Sequence, residues 1–220
     1  MITFKDVSLR YDRGAGVKNI NFSVQRGEFI YLIGPSGAGK STLLRMLFMD
    51  IFPNTGSVQV DHFDSNTIKR RQIPKLRQKV GMIFQDYKLL DDRDVFSNVA
   101  LPLQVIGVST REIERRVTKT LEEVGLTHRR LYYPSELSGG EQQRVSIARS
   151  IAKDPLVLLA DEPTGNLDMG VALEILNLLW RVNAKGTAVI MATHNIELIK
   201  NRPSRTFRLS HGEFKGELLP

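Results

Sequence analysis

The chain has 220 residues, 41% apolar and 25% charged, which fits one large domain, or a core with one lobe, built around a real hydrophobic interior. It contains no cysteine, which excludes disulfides, thiolate catalysis and cysteine-ligated metals. The net charge is +7, but the basic residues are dispersed over Lys69-Arg70-Arg71, Arg111 to Arg116, Arg129-Arg130 and Arg202 to Arg208, without aromatic interleaving of the kind that stacks bases. That pattern argues against nucleic acid, and an anionic membrane surface or an acidic partner explains the charge at least as well. Met1 to Asp6 lack a signal pattern and no apolar run approaches the ~20 residues that span a bilayer, so a soluble chain is expected.

Ile2 to Tyr11 and Asn19 to Val24 alternate apolar and polar residues and predict two strands, with a turn from Asp12 to Gly16. Phe29 to Ile33 is a short apolar run that predicts a buried strand ended by Gly34. Gly34 to Ser41 then fits G-x-x-x-x-G-K-[ST], and Leu43, Leu44, Met46 and Leu47 recur at helical spacing. Strand, loop and helix therefore follow in the order a phosphate-binding loop needs. Glycines let successive N–H groups curl around an anion, and the helix adds its positive end. Lys40 supplies a full charge, and the Ser41 hydroxyl is placed to ligate Mg2+.

Short strands are expected at Gly56 to Val60 and at Val80 to Phe84, the second leading into Gln85. From about Asp86 to Asp154 the pattern becomes helical. Ile113, Val117, Leu121 and Val124 mark one helix, and Ser138 with Glu141 forms a capping box for another over Gly140 to Ala152. Leu156 to Ala160 reads as a strand buried on both faces, followed by a helix from about Val171 to Asn183 and a strand at Thr187 to Ala192. Arg205 to Leu219 suggests a closing hairpin around Ser210-His211-Gly212.

Asp161 and Glu162 end a predicted parallel strand, where ligands of α/β sheets bind. Asp161 suits Mg2+, a hard cation that takes oxygen ligands, and Glu162 suits a base for an attacking water. His194 follows the next strand, positioned to contact the γ-phosphate or orient water, and Gln85 stands at a strand end with an amide able to touch metal or water. Taken singly, such a histidine is more often structural and such a glutamine an ordinary polar loop residue, so both assignments depend on their neighbours.

Leu137-Ser138-Gly139-Gly140-Glu141-Gln142-Gln143-Arg144, upstream of Leu156 to Glu162, resembles the signature of the ATP-binding-cassette (ABC) ATPases, and six motifs occur in order over essentially the whole chain. The resemblance implies a P-loop α/β fold with a mostly parallel core sheet and an N-terminal antiparallel β subdomain, together about 1–85 and 155–220. An α-helical lobe, about 86–154, is inserted into it. It implies hydrolysis of ATP with Mg2+ by a homodimer that sandwiches two nucleotides. Tyr11 would stack on adenine, and Gly34, Pro35, Ser36, Gly37, Ala38, Gly39, Lys40, Ser41 and Thr42 would hold the phosphates. Ser41, Gln85 and Asp161 would serve Mg2+, with Glu162 as base, His194 as switch, and Lys40 and Gln85 completing the catalytic group. Leu137, Ser138, Gly139, Gly140 and Glu141 would act on the ATP of the other copy, and Asp168 would link the two sites.

Three positions depart from the commonest family pattern. Glu141 replaces Gln, Gly165-Asn166 replaces Ser-Ala, and Asn195 follows the switch histidine where an acid is usual. Gly81 to Leu103, with Ile73 to Arg77 and Ala160 to Asp168, resembles the cell-division branch of the family. That implies a chain peripheral on the cytoplasmic face of the cell membrane. Its integral partner would be an FtsX-like, permease-type protein docking near the Gln85 loop and helical lobe, and the pair would control cell-wall hydrolases rather than move a solute. A lipoprotein-releasing or macrolide-type transporter subunit is the nearest alternative. A soluble cassette acting on DNA or ribosomes fits less well, because the insert is only lobe-sized and the chain holds one cassette.

Overall fold

The computed structural model describes residues 1–11, 14 and 16–218. Most of the expected turn after Tyr11, and the Leu219 end of the closing hairpin, lie outside them. Strands β1 (Ile2–Arg10) and β2 (Gly16–Val24) pair antiparallel, and β3 (Phe29–Ile33) leads through the glycine-rich loop into α1 (Lys40–Leu47). Next come β4 (Thr55–Val60), β5 (Phe63–Asp64), α2 (Ile73–Lys79) and β6 (Val80–Ile83). Three helices follow: α3 (Val95–Val105), α4 (Thr110–Val124) and α5 (Gly139–Ile151). The chain then runs through β7 (Val157–Asp161), α6 (Met169–Ala184), β8 (Ala188–Thr193), α7 (Ile196–Lys200), β9 (Thr206–Ser210) and β10 (Glu213–Leu218).

The strands form one sheet in the order β5-β4-β1-β2-β10-β9-β3-β8-β7-β6. From β9 to β6 every pairing is parallel, whereas β5, β4, β1 and β2 pair antiparallel. The parallel strands are buried on both faces, and their period of two divides the interior. Tyr31, Leu158, Ala160, Val189 and Met191 pack toward α3 to α6. Ile30, Leu32, Leu159, Ile190 and Ala192 face α1, α2 and the antiparallel strands. Because β3, β7 and β8 run in one direction, their C-terminal ends bring Gly34, Glu162 and His194 to a single edge.

The expected elements are present with small shifts. The signature helix begins at Gly139 and ends at Ile151, one residue earlier at each end than the pattern suggested, because Ser138 caps it. The strand before the acidic pair takes in Asp161. Helices α2, α3 and α7 lack a sequence assignment. In α3 the apolar residues are interrupted by Pro102. The remaining two, at seven and five residues, are too short to show a helical period.

Candidate active site

β3 delivers the phosphate loop to the sheet edge. Gly37 and Gly39 take the left-handed region at φ +76° and +104°, and a Cβ on Gly39 would lie 2.5 Å from Val17 Cγ1. Glycine is required at Gly39 on both counts. α1 opens at Lys40 with no acidic residue in its first turn, leaving its amide end to the cavity. Ser36, Gly37, Ala38, Gly39, Lys40, Ser41 and Thr42 line a cavity of about 330 Å3 together with Tyr11, Gln85 and Glu162. Tyr11 stands at its rim with its hydroxyl 3.3 Å from Thr42 Oγ1. Gly34 and Pro35 turn their carbonyls to Lys40 instead of lining the cavity.

Lys40 is only 5% exposed, so its ammonium must find partners inside the protein. Nζ donates to Gly34 O at 2.8 Å and Pro35 O at 3.2 Å, and pairs with Glu162 Oε1 at 3.1 Å. The other carboxylate oxygen of Glu162 accepts from the His194 amide at 3.2 Å and lies 2.9 Å from His194 Nδ1. Glu162 itself sits at φ +46°, a costly conformation for a side-chain-bearing residue, with its N–H donating to Ala192 O of β8 at 3.0 Å. The backbone is thus turned so that two adjacent carboxylates face different partners.

Asp161 takes the other direction. Its Oδ1 accepts from the Ser41 hydroxyl at 2.9 Å. Burial pushes this carboxyl above the ordinary range, the Ser41 hydrogen bond opposes the shift, the Glu162 charge adds to it and Lys40 offsets part. A hydroxyl, a half-buried carboxylate and the Gln85 amide are hard oxygen donors, the set that suits Mg2+. Among the described residues no cluster of three or more His, Cys, Asp or Glu side chains would hold a metal alone.

The signature turn lies elsewhere. Ser138 caps α5, with Oγ accepting from the Glu141 N–H at 3.3 Å while Glu141 Oε2 accepts from the Ser138 N–H at 2.9 Å. The Ser138 N–H and the Ser138 hydroxyl, which donates to Oε2 at 2.8 Å, followed by Arg129 at 2.8 Å from Oε1, hold the Glu141 carboxyl below the usual glutamate range. A Cβ on Gly140 would come within 2.7 Å of Val171 Cγ1. Asp168, the cap of α6, accepts from the Val171 N–H at 3.0 Å. Leu137 to Glu141 and Asp168 therefore form a second group, none of which lines the loop cavity. Asn195, the departure beside the switch histidine, caps α7 by accepting from the Leu198 N–H at 3.0 Å, a task asparagine and aspartate share.

Two residues outside the expected set organise the ground between these groups. Arg149 of α5 donates to the carbonyls of Tyr87 and Lys88, which sit consecutively in the left-handed region at φ +58° and +49°. Asn98 is fully buried, accepts from the Leu90 N–H at 2.8 Å and donates to Leu90 O and Arg93 O, both at 3.0 Å. Neither carries a local sequence signal. An arginine on a helix and an asparagine in an apolar stretch acquire meaning only from carbonyls the fold brings to them.

Residues 17–165 match the family model described as ABC transporter. The chain is 47% identical to the cell division ATP-binding protein FtsE of Streptococcus pneumoniae, covering 99% of this chain and 97% of that one. It is 46% identical to FtsE of Bacillus subtilis, covering 96% and 93%. Among solved structures it resembles the ATP-binding cassette MJ0796, a dimer in a post-hydrolysis state bound to ADP and Pi, at a TM-score of 0.90 and 33% identity over 100% and 98% of the two chains. CbiO1 of Clostridium perfringens, part of an ABC transporter complex, aligns at a TM-score of 0.89 and 31% identity over 98% and 87%.

Proposed function

The chain belongs to the ABC transporter family, and from that premise we propose that it is the ATP-hydrolysing subunit of an FtsE-like membrane complex acting in cell division. The observation that carries the reading is the Lys40–Glu162–His194 chain beside the Ser41–Asp161 pair, at the mouth of a glycine-rich loop. On entry the γ-phosphate takes Lys40 from its carbonyl partners and from Glu162. Glu162, still held by His194, then accepts a proton from water. The water oxygen bonds to the γ-phosphorus as the bond to the β–γ bridging oxygen breaks, releasing ADP and phosphate. A bound Mg2+, held by Ser41, Asp161 and Gln85, would neutralise phosphate charge.

We further infer a head-to-tail homodimer. The Ser138–Gly140 turn is an anion-binding helix terminus with no role in its own chain's cavity, and it completes the site of a second copy, with Asp168 at the crossing. In this reading the α3–α5 segment, about 86–154, is a lobe set on the core and β subdomain of 1–85 and 155–220.

No helix among the described residues is long and apolar enough to cross a membrane; in the FtsE-like reading a separate integral protein spans it. Its seat would be a groove of about 270 Å3 between core and lobe, where Phe48, Met82, Phe84, Leu101 and Pro102 are flanked by Lys88, Arg149 and Lys153. Arg149 ties that groove to the loop after Gln85. An FtsX-like partner controlling cell-wall hydrolysis, with the chain peripheral on the cytoplasmic face, is the reading that the full-length similarity to FtsE supports.

The test is recovery of tagged Glu162→Gln from detergent-solubilised membranes with ATP. A partner with few transmembrane helices and a large extracytoplasmic domain, together with division proteins, is the expected result. A lipoprotein or drug permease would replace the cell-division role with transport. Ribosomes or DNA alone would overturn the membrane reading.

A further inference from the structure

The Lys69-Arg70-Arg71 run belongs to neither group of site residues. It enters the short 3-10 turn Arg70–Gln72 that leads into α2, and Lys75 follows on that helix. All four cations are exposed. Lys69, Arg71, Gln72 and Lys75 line a depression of about 350 Å3. Among the described residues none of the four pairs with a carboxylate. Cations just beyond them do pair, Arg77 with Asp50 at 3.8 Å and Lys79 with Asp61 at 2.8 Å. Four like charges held this close repel one another, and an anionic surface relieves that repulsion.

The position of the run narrows the identity of that surface. The far end of α2 abuts the groove assigned to the membrane partner: the Arg77 guanidinium lies 4.7 Å from the Phe48 ring centre and Nε donates to Phe48 O at 3.1 Å. Lys153 donates to Arg77 O, and Phe48 and Lys153 both line the groove. At a helical rise of about 1.5 Å per residue, the stretch from Lys69 to Arg77 spans roughly 12 Å. A chain seated by the groove on an integral protein thus carries the basic turn beside the bilayer.

We propose that Lys69, Arg70, Arg71 and Lys75 form a contact surface for the anionic headgroups of the membrane around that partner, an inference that rests on the membrane-partner reading. No aromatic side chain lies within 69–75 to stack on bases, and the site is a depression rather than a channel tracking a nucleic-acid backbone. Basic clusters held against an anionic leaflet gain attraction with each charge.

Flotation of the purified full chain with vesicles of phosphatidylcholine, alone or mixed with phosphatidylglycerol, tests it. Binding is expected only to the mixed vesicles and should fade as salt rises. The triple variant K69Q/R71Q/K75Q should lower the partition roughly 100-fold, about fivefold per cation, with basal ATP hydrolysis unchanged. Removing equal charge from α4 and α6, as R111Q/K119Q/R181Q, should change it by no more than about twofold. Equal loss in both variants, no binding of the wild type to anionic vesicles, or stronger binding to duplex DNA would each overturn the proposal. Partner capture in a zwitterionic detergent tests the groove separately. If the partner is captured while flotation fails, the lipid surface falls and the groove stands; if flotation succeeds without capture, the groove assignment falls.

Discussion

The phosphate loop and the signature turn use the same device, glycines at the opening of a helix, but they are finished differently. Around the loop, charges find each other inside one chain: Lys40 meets Glu162, Glu162 meets His194, and Ser41 meets Asp161. At the signature, Ser138 and Glu141 close a capping box on their own helix end and Glu141 also meets Arg129, while the glycines do not line the loop cavity. The contrast extends to protons. Burial raises the Asp161 carboxyl above its ordinary range, whereas hydrogen bonds from Ser138 and Arg129 hold that of Glu141 below its own. One region is poised for a cation and a substrate. The other is already at rest.

The comparison breaks hardest at Glu162. Glu162→Gln keeps an oxygen for the His194 amide but gives up the base, so phosphate release should fall about 10²- to 10⁴-fold while nucleotide binding persists. Wild-type turnover would remove Glu162 from its role. A second test asks whether the signature serves another chain. Lys40→Ala disables the loop, and Gly139→Asp places a negative charge where a phosphate would approach. Aspartate at the first turn suits the helix, and the Cβ would meet the Tyr87 hydroxyl at 3.2 Å and Leu167 Cδ2 at an ordinary 3.6 Å. Each variant alone should be inactive. An equal mixture should regain about a quarter of wild-type activity, since half the dimers are mixed and each holds one intact site. No regain would mean that each chain works alone.

A smaller effect sharpens the difference in protonation. The folded-state pKa of Glu141 is lowered from 4.5, so its contribution to stability is full above that value and is lost as pH falls below it. Melting temperatures of the wild type and Glu141→Gln should therefore differ at neutral pH and converge in acid. Asp161 works in the opposite sense, its raised pKa favouring the folded state as it takes up a proton. A gap between wild type and Glu141→Gln that widens in acid would contradict the capping-box account.

Much of this was readable from the chain because the information is local. The G-x-x-x-x-G-K-S spacing, the apolar run before Asp161-Glu162 and the S-x-x-E box each state a structure within a dozen residues, and the elements formed where they were expected. The pairings that make the site specific are not local. Lys40 and Glu162 lie far apart in sequence, as do Ser41 and Asp161, and only the order of parallel strands joins them. Arg149 and Asn98 went unread for the same reason, since their partners are backbone carbonyls without identity in the sequence. Helix α3 was obscured by Pro102, tolerated inside it although proline usually ends a helix.

Gln143 gives the smallest and most discriminating test. It lies on the signature helix, is fully buried, and neither its amide nitrogen nor its oxygen has a hydrogen-bonding partner. An unsatisfied buried polar group costs about 1–3 kcal/mol, so a shape-matched apolar residue should stabilise the fold. For Gln143→Met a gain near 1 kcal/mol corresponds to a rise in Tm of about 2–4 °C for a chain of this size. If hydrolysis is unchanged, the amide is a defect in a helix that serves only as scaffold. If Tm rises while hydrolysis falls, the amide has its partner only when a second copy closes on nucleotide, and the resting signature region is incomplete in its interior as well as at its glycine face. A fall in Tm would mean that the amide is satisfied in the resting chain, and the contrast between a poised loop and a resting signature would then end at the helix surface.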